Sequence, residues 1–312
     1  MRIGVFTDST LNLSLEDSLD RYVDWGIEAV EIGTGNFSPA PHLNLAEMLA
    51  DADARKRLLA TLERRGLTLS ALNCSGNPIH PRKDVAAHDS GVIRDTIRLA
   101  SELGIDRIVT MSGCPGAPGG GEHPNWVTFT WPDHFNELLQ WQWDEVITPY
   151  WRETAAFAKA HGVLLCFEMH PGMSVYNTAS LLRLRAAAGE SIAANLDPSH
   201  LWWQGMDPLE VVRALGPAVG FVHAKDTRID PRNTAINGCL DTTMPQVPGR
   251  MPWVFRAVGY GHGESWWRDF VSVLRMEGYD GVLSIEQEDP LMGLEEGTRK
   301  AAEFLKPILF VG

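Results

Sequence analysis

The stretch LAEMLADADARKRLLATLERRGLTLSALN, residues 45–73, decides the fold. Residues 45–65 place Leu45, Met48, Leu49, Leu58, Leu59 and Leu62 at the spacing of one helical face. Gly66 follows, where a glycine in the left-handed conformation ends a helix. Residues 67–73 are short and apolar and read as a strand. A helix handing its chain to a strand through one glycine is a single step of a parallel sheet, because parallel strands need a crossover between them.

The same step recurs along the whole chain. Strands are expected at 2–7, 29–32, 67–73, 107–112, 163–170, 192–197, 219–225 and 281–287, with amphipathic stretches between them. Gly26, Gly66, Gly104, Gly162 and Gly278 each fall between a helical pattern and the next strand. Eight such units predict closure into a single (β/α)8 TIM barrel over residues 1–312, rather than an open doubly wound sheet. No break in composition marks a second domain. Two segments exceed ordinary connections: 113–132, with Trp126 and Trp131, and 227–264, with Trp253, Arg256 and the run Gly259-Tyr260-Gly261-His262-Gly263. Both follow strands at the face where barrels carry their sites, and both are expected to roof it.

A formal net charge of −13 argues against a polyanionic partner, since phosphate neutralisation needs clustered Lys and Arg. Neutral or cationic ligands, or anions held through a metal, remain. No apolar run is long enough to span a membrane, and the opening residues read as a first strand rather than a signal peptide. Cys74, Cys114, Cys166 and Cys239 are widely spaced, which fits a reduced, cytoplasmic protein and not a disulfide scaffold. The 11 tryptophans serve either core and interface packing or the stacking of a substrate ring.

Strand ends carry the chemistry. The fifth strand ends Cys166-Phe167-Glu168-Met169-His170, and the sixth Asn195-Leu196-Asp197-Pro198-Ser199-His200. The seventh ends Val222-His223-Ala224-Lys225-Asp226, and the eighth Ser284-Ile285-Glu286-Gln287-Glu288-Asp289. A lone Glu at a strand end is more often a salt-bridge partner than a ligand. Carboxylates gathered at a barrel mouth, however, repel one another and lose hydration unless a cation compensates. Glu168, Asp197, His223 and Glu286 together make a suitable set for one divalent ion, Mn²⁺ first and Mg²⁺, Co²⁺ or Zn²⁺ as alternatives. Two residues apart on a strand, Glu168 and His170 share a side. His170 is then either a general acid/base beside the metal or a residue that only orients a ligand or caps a helix. Lys225 either polarises a substrate oxygen or pairs with Asp226 or Glu288. Asp226 is expected to fix the His223 ring through its other nitrogen.

The succession Glu168, Asn195-Leu196-Asp197-Pro198-Ser199-His200, His223-Ala224-Lys225-Asp226 and Glu286 resembles the xylose-isomerase-like superfamily of sugar isomerases and epimerases, over nearly the whole chain. The resemblance implies Glu168, Asp197, His223 and Glu286 as metal ligands and His200 as a contact to a substrate hydroxyl. It leaves Glu31, at the end of the second strand, either at the site or in a structural salt bridge. Phe167-Glu168-Met169-His170-Pro171 through Gly259-Tyr260-Gly261-His262-Gly263 also looks like the larger (alpha) subunit of C-glycoside deglycosidases, lyases of the same superfamily acting on 3-keto C-glycosides. Relatives imply a homo-oligomer or a complex with a small beta subunit. Two departures stand out. The second Asp pair of two-metal aldose isomerases is missing, Asp226 and Asp230 having the wrong spacing, which favours proton over hydride transfer. The extra substrate-binding Glu of ketose 3-epimerases is replaced by Ser174.

The implied chemistry is proton abstraction next to the carbonyl of a keto-sugar, with Glu168, Glu286 and His170 as acid/base groups and Trp126, Trp131, Trp253 and Arg256 on the rest of the substrate. Return of the proton gives epimerisation or isomerisation, and loss of a β-group gives elimination. Metal-dependent phosphodiesterases of the endonuclease IV type share the barrel. They need about three zinc ions and a basic groove, against which the charge and the single strand-end His223 argue. A non-catalytic binding barrel is the other alternative.

Overall fold

A computed structural model describes residues 1–242 and 247–310. In chain order it contains β1 (Arg2–Phe6), α1 (Leu15–Asp24), β2 (Ala29–Gly33), α2 (Leu45–Ala50), α3 (Ala52–Glu63), β3 (Thr68–Asn73), α4 (Lys83–Leu103) and β4 (Arg107–Thr110). There follow α5 (Asp133–Trp141), a π-helical turn (Gln142–Ile147), α6 (Thr148–Ala160), β5 (Leu164–Glu168), α7 (Thr178–Ala188), β6 (Ile192–Leu196), α8 (Pro198–Trp202) and α9 (Pro208–Leu215). The last elements are β7 (Val219–Ala224), β8 (Asp226–Ile229), α10 (Pro231–Asn237), β9 (Trp253–Arg256), α11 (Glu264–Met276), β10 (Val282–Ile285) and α12 (Leu294–Leu305).

Eight strands close in the order β1-β10-β7-β6-β5-β4-β3-β2. The strand pairings within this barrel are parallel, and each expected strand is present within a few residues of its reading. The helix-ending glycines behave as expected. Gly26, Gly66, Gly104, Gly162 and Gly278 have φ of 74°, 70°, 73°, 70° and 90°, the left-handed region a Cβ would oppose.

The chain divides into two compact units. One comprises Met1–Glu31, Ala60–Ser70 and the chain from Leu196 onward; the other comprises Ile32–Leu59 and Ala71–Asn195. In the first, Val5, Phe221, Leu283 and Ile285 are buried strand residues, and Trp267 and Phe270 of α11 are buried with them. In the second, fully buried Trp151 donates its indole N–H to Ser112 O at 3.0 Å and meets the Phe167 ring edge-on at 4.6 Å. That bond lets a large aromatic residue bury all its apolar surface without stranding a donor.

Two elements depart from the sequence reading. The stretch 45–65 is two helices, because Asp51 is extended (φ −118°, ψ 104°) and its carboxylate accepts the Asp53 N–H at 2.8 Å, capping α3. Leu58 and Leu62 are buried as the helical face requires, whereas Leu59 is 37% exposed. The second departure lies in the segment 227–264, of which residues 243–246 are outside the described residues. It begins and continues as an antiparallel hairpin, β8 pairing with β9 from Asp226↔Arg256 to Ile229↔Trp253. Cys74, Cys114 and Cys166 are buried and Cys239 is partly exposed; all four are free thiols. Among the described residues no helix is long and apolar enough to cross a membrane.

Candidate active site

In the first unit, β7 and β10 deliver side chains from their carboxyl ends, and Asp197 opens the chain beyond Leu196. Asp197 follows β6 directly and caps α8, its Oδ1 accepting the Ser199 N–H at 2.8 Å. This leaves Oδ2 for other work: it lies 3.3 Å from His200 Nε2 and 3.2 Å from Lys225 Nζ. Lys225, immediately after β7, is 2% exposed and also donates to Glu286 at 2.5 Å and Glu288 at 3.0 Å. Of these carboxylates Asp197 and Glu286 are withdrawn from water, at 1% and 14% exposure, while Glu288 is half exposed at 49%. Two withdrawn carboxylates against one ammonium leave a place that suits a further cation, since unbalanced carboxylates out of water are costly.

His223 is the pivot. Its Nε2 lies 2.9 and 3.1 Å from the two oxygens of Glu31, which also accepts a hydrogen bond from Ser284 Oγ at 2.7 Å. A carboxylate only accepts, so Nε2 carries the proton. The register pairs Ser284 of β10 with His223 of β7, and the hydrogen bonds to Glu31 bring β2 to the same point. The other nitrogen, Nδ1, faces Glu286 Oε2 at 3.4 Å. In a neutral ring with Nε2 protonated both of these atoms carry lone pairs, and a proton or a cation beside them relieves their repulsion. A carboxylate holding the far nitrogen of a histidine is the arrangement that fixes ring and tautomer for metal binding. His223 and Glu286 offer an imidazole nitrogen and a carboxylate oxygen within 4.8 Å of each other, donors of a kind that fits a divalent first-row metal.

In the second unit, Glu168 ends β5 at 2% exposure, in register with Asn195, whose Nδ2 donates to Glu168 Oε2 at 3.4 Å. His170 lies beyond the strand end, not on it as 163–170 implied. Its N–H donates to Val175 O at 3.3 Å and its Nδ1 to Pro171 O at 2.6 Å. A carbonyl only accepts, so the neutral ring has its lone pair on Nε2. Glu168 and His170 offer a carboxylate oxygen and a ring nitrogen within 4.8 Å of each other. Trp126 meets the Tyr176 ring edge-on at 5.4 Å, while Trp131 is 68% exposed.

Asp226 does not hold His223. It is fully buried and accepts the N–H groups of Thr227, Gly259, Gly261 and His262 and the His262 ring nitrogen at 2.8 Å. It therefore clasps the long segment after β7. Arg256 is bound to Asp289 at 2.8 Å, and one face of Trp253 is covered by Trp203, stacked at 4.6 Å and 8°. Both are built into the hairpin's packing. The sequence reading left Glu31 undecided and gave Glu288 only as a pairing partner of Lys225. The signal for Glu31 was its place at a strand end, the same signal that pointed to Glu168.

The chain belongs to the family described as xylose isomerase-like TIM barrel, whose model matches residues 19–308. It is 42% identical over 309 residues to a protein of Bacillus subtilis (strain 168) described as uncharacterized protein YfiH, covering 98% of each chain. Among solved structures it is similar to the probable 3-DHS dehydratase AsbF from Bacillus anthracis, at 15% identity and a TM-score of 0.67 over 98% of this chain and 99% of that one. It is also similar to D-psicose 3-epimerase from Clostridium cellulolyticum H10, at 14% identity and a TM-score of 0.63 over the whole of both chains. A third likeness is to the IOLI protein solved with a zinc atom, at 17% identity and a TM-score of 0.65 over 99% and 98%.

Proposed function

We propose that this protein is a divalent-cation-dependent enzyme that moves a proton next to the carbonyl of a keto-sugar, in the manner of a sugar isomerase or epimerase. The observation that carries the reading is His223, held by Glu31 on one nitrogen and facing Glu286 with the other. The ligands assigned are Glu168, Asp197, His223 and Glu286, each closing one of four strands that are consecutive in the barrel, β5, β6, β7 and β10. Family membership supports this choice, as does the epimerase among the structural likenesses and the zinc-bearing one. The mixed nitrogen and oxygen donors suit Mn²⁺, with Mg²⁺, Co²⁺ and Zn²⁺ as alternatives.

When bound, such a cation polarises a carbonyl and makes the adjacent C–H acidic. Glu168 or Glu286 takes the proton on one face of the substrate, and His170, with its Nε2 lone pair, takes or returns it on the other. His200 and Lys225 orient hydroxyl oxygens, Lys225 exchanging one carboxylate for a substrate oxygen. Elimination shares the same first half, and the dehydratase likeness keeps it as the second reading.

The test is a panel of keto-sugars and 3-keto glycosides incubated in D₂O with Mn²⁺. Deuterium at the carbon next to the carbonyl is expected, and His170→Ala should slow its uptake about 10²-fold with Mn²⁺ affinity kept. No exchange with any of the four metals would end the proposal, and full activity of His170→Ala would make that residue structural.

A further inference from the structure

The second unit contains a cavity of about 200 Å³ whose lining includes none of the assigned metal ligands or acid/base groups. It is formed by the segment after β4, the π-helical turn, the segment after β5 and the start of α7, with Trp126, Trp143, Val127 and Ile147 among its apolar walls. The π turn shapes one wall. Its i→i+5 bonding brings residues five apart to one side, so Gln142 and Ile147 line the space together with Trp143, all three buried. Ser174 N–H donates to Gly113 O and Val175 N–H to Ser112 Oγ, both at 2.8 Å, which locks the two loops into one wall.

Two of its polar groups, the Arg183 guanidinium and the Trp126 indole N–H, are donors only. Arg183 lies at the rim with its guanidinium 4.3 Å over the Trp143 ring and a bond to the Gln140 side chain at 3.2 Å, and no carboxylate among the described residues pairs with it. Trp126 has a buried indole N–H with no hydrogen-bond partner among the described residues. Gln142 Nε2 is spent on the carbonyls of Gly116 and Asn125. Among the described residues no Asp or Glu lines the space, and burial pushes the Cys114 thiol up to about 11, so it stays neutral. In a chain of net charge −13, this is a lined space whose one charge is positive.

We infer that this cavity binds a planar aromatic carboxylate, its ring between the tryptophan walls and its anion on Arg183. Flat apolar walls favour an aromatic body, and a guanidinium already stacked on an indole is set to take a carboxylate in two parallel bonds. The inference is independent of the metal-site reading.

Isothermal titration of the full chain with 4-hydroxycinnamate and with its methyl ester tests it. The acid should bind about ten-fold tighter than the ester, the size of one charge-assisted hydrogen bond. Arg183→Gln, at an exposed position, should bring that ratio near one, and Arg183→Lys should keep most of it. Glu168→Gln should bind the acid as the unaltered protein does, which separates the cavity from the proposed metal site. Equal affinity for acid and ester would overturn the inference, as would an unchanged ratio in Arg183→Gln or no binding of either probe at millimolar concentration. Loss of acid binding in Glu168→Gln would also overturn it, placing the probe on the metal site instead.

Discussion

Glu31 is a carboxylate at 0% exposure that has given up its hydration, and it recovers hydrogen bonds from Ser284 and His223. Replacing it by Gln keeps the shape but offers the His223 ring an ambiguous partner, so the tautomer is no longer set. Mn²⁺ affinity measured by titration calorimetry should fall about 10–100-fold in Glu31→Gln, with the circular dichroism spectrum retained. An unaltered affinity would show that the pair is structural only. The sequence reading named the strand-end residues because the alternation of strand and helix marks where each strand stops. It could not choose the partner of His223: Glu31 lies 192 residues away, and only closure of the barrel brings it near. Asp226, three residues along the chain, was the local choice, and the fold spends it on the clasp at Gly261 and His262.

Among the elements, the barrel strands were legible because each is a short apolar run followed by polar residues that solvate its end. The β8–β9 hairpin was not, since Asp226-Thr227-Arg228-Ile229 and Trp253-Val254-Phe255-Arg256 show no clean alternation and lie far apart in sequence. The π turn was equally hidden, its residues reading as ordinary helix. Glycines give this scale its test. Gly91, exposed within α4, has nothing within 4 Å of a built Cβ, and Ala there should stabilise the protein by about 0.5–1 kcal/mol by restricting the unfolded chain. At Gly261 a Cβ would meet Asp226 Oδ1 and the Thr227 carbonyl at 2.4 Å. Gly261→Ala should therefore break the Asp226 clasp and cost about 2–4 kcal/mol, since a buried carboxylate loses its donors. Urea denaturation of both variants reads the two signs, and a neutral Gly261→Ala would deny the clasp its role.

For the molecule as a whole, buried acids set the response to alkali. Burial pushes the Cys74 thiol up to about 12 and the Cys114 thiol up to about 11, and it raises Tyr22 as well. The unfolded chain releases its thiol protons near 9, so above that pH it binds fewer protons than the folded chain. The stability these groups lend is whole below about 9 and declines as the pH rises toward 11 and 12. Urea midpoints should thus drop from pH 8.5 to 10.5, with a shallower drop in Cys74→Ala. A flat profile would mean that the thiols are not sealed in the folded state. The closed barrel was readable from repetition alone, because eight strand-and-helix units leave no edge strand to cover.

The same distribution of thiols supplies an address for chemistry performed on the protein rather than by it. With Cys74, Cys114 and Cys166 buried, a maleimide dye reaches the partly exposed Cys239 first, in the long segment beyond β8. Trp253 donates its indole N–H to the Cys239 carbonyl at 3.1 Å, so the dye would sit beside a ring able to quench it. Its brightness would follow the hairpin's separation from that segment in real time, making the native cysteine pattern a ready-made optical reporter.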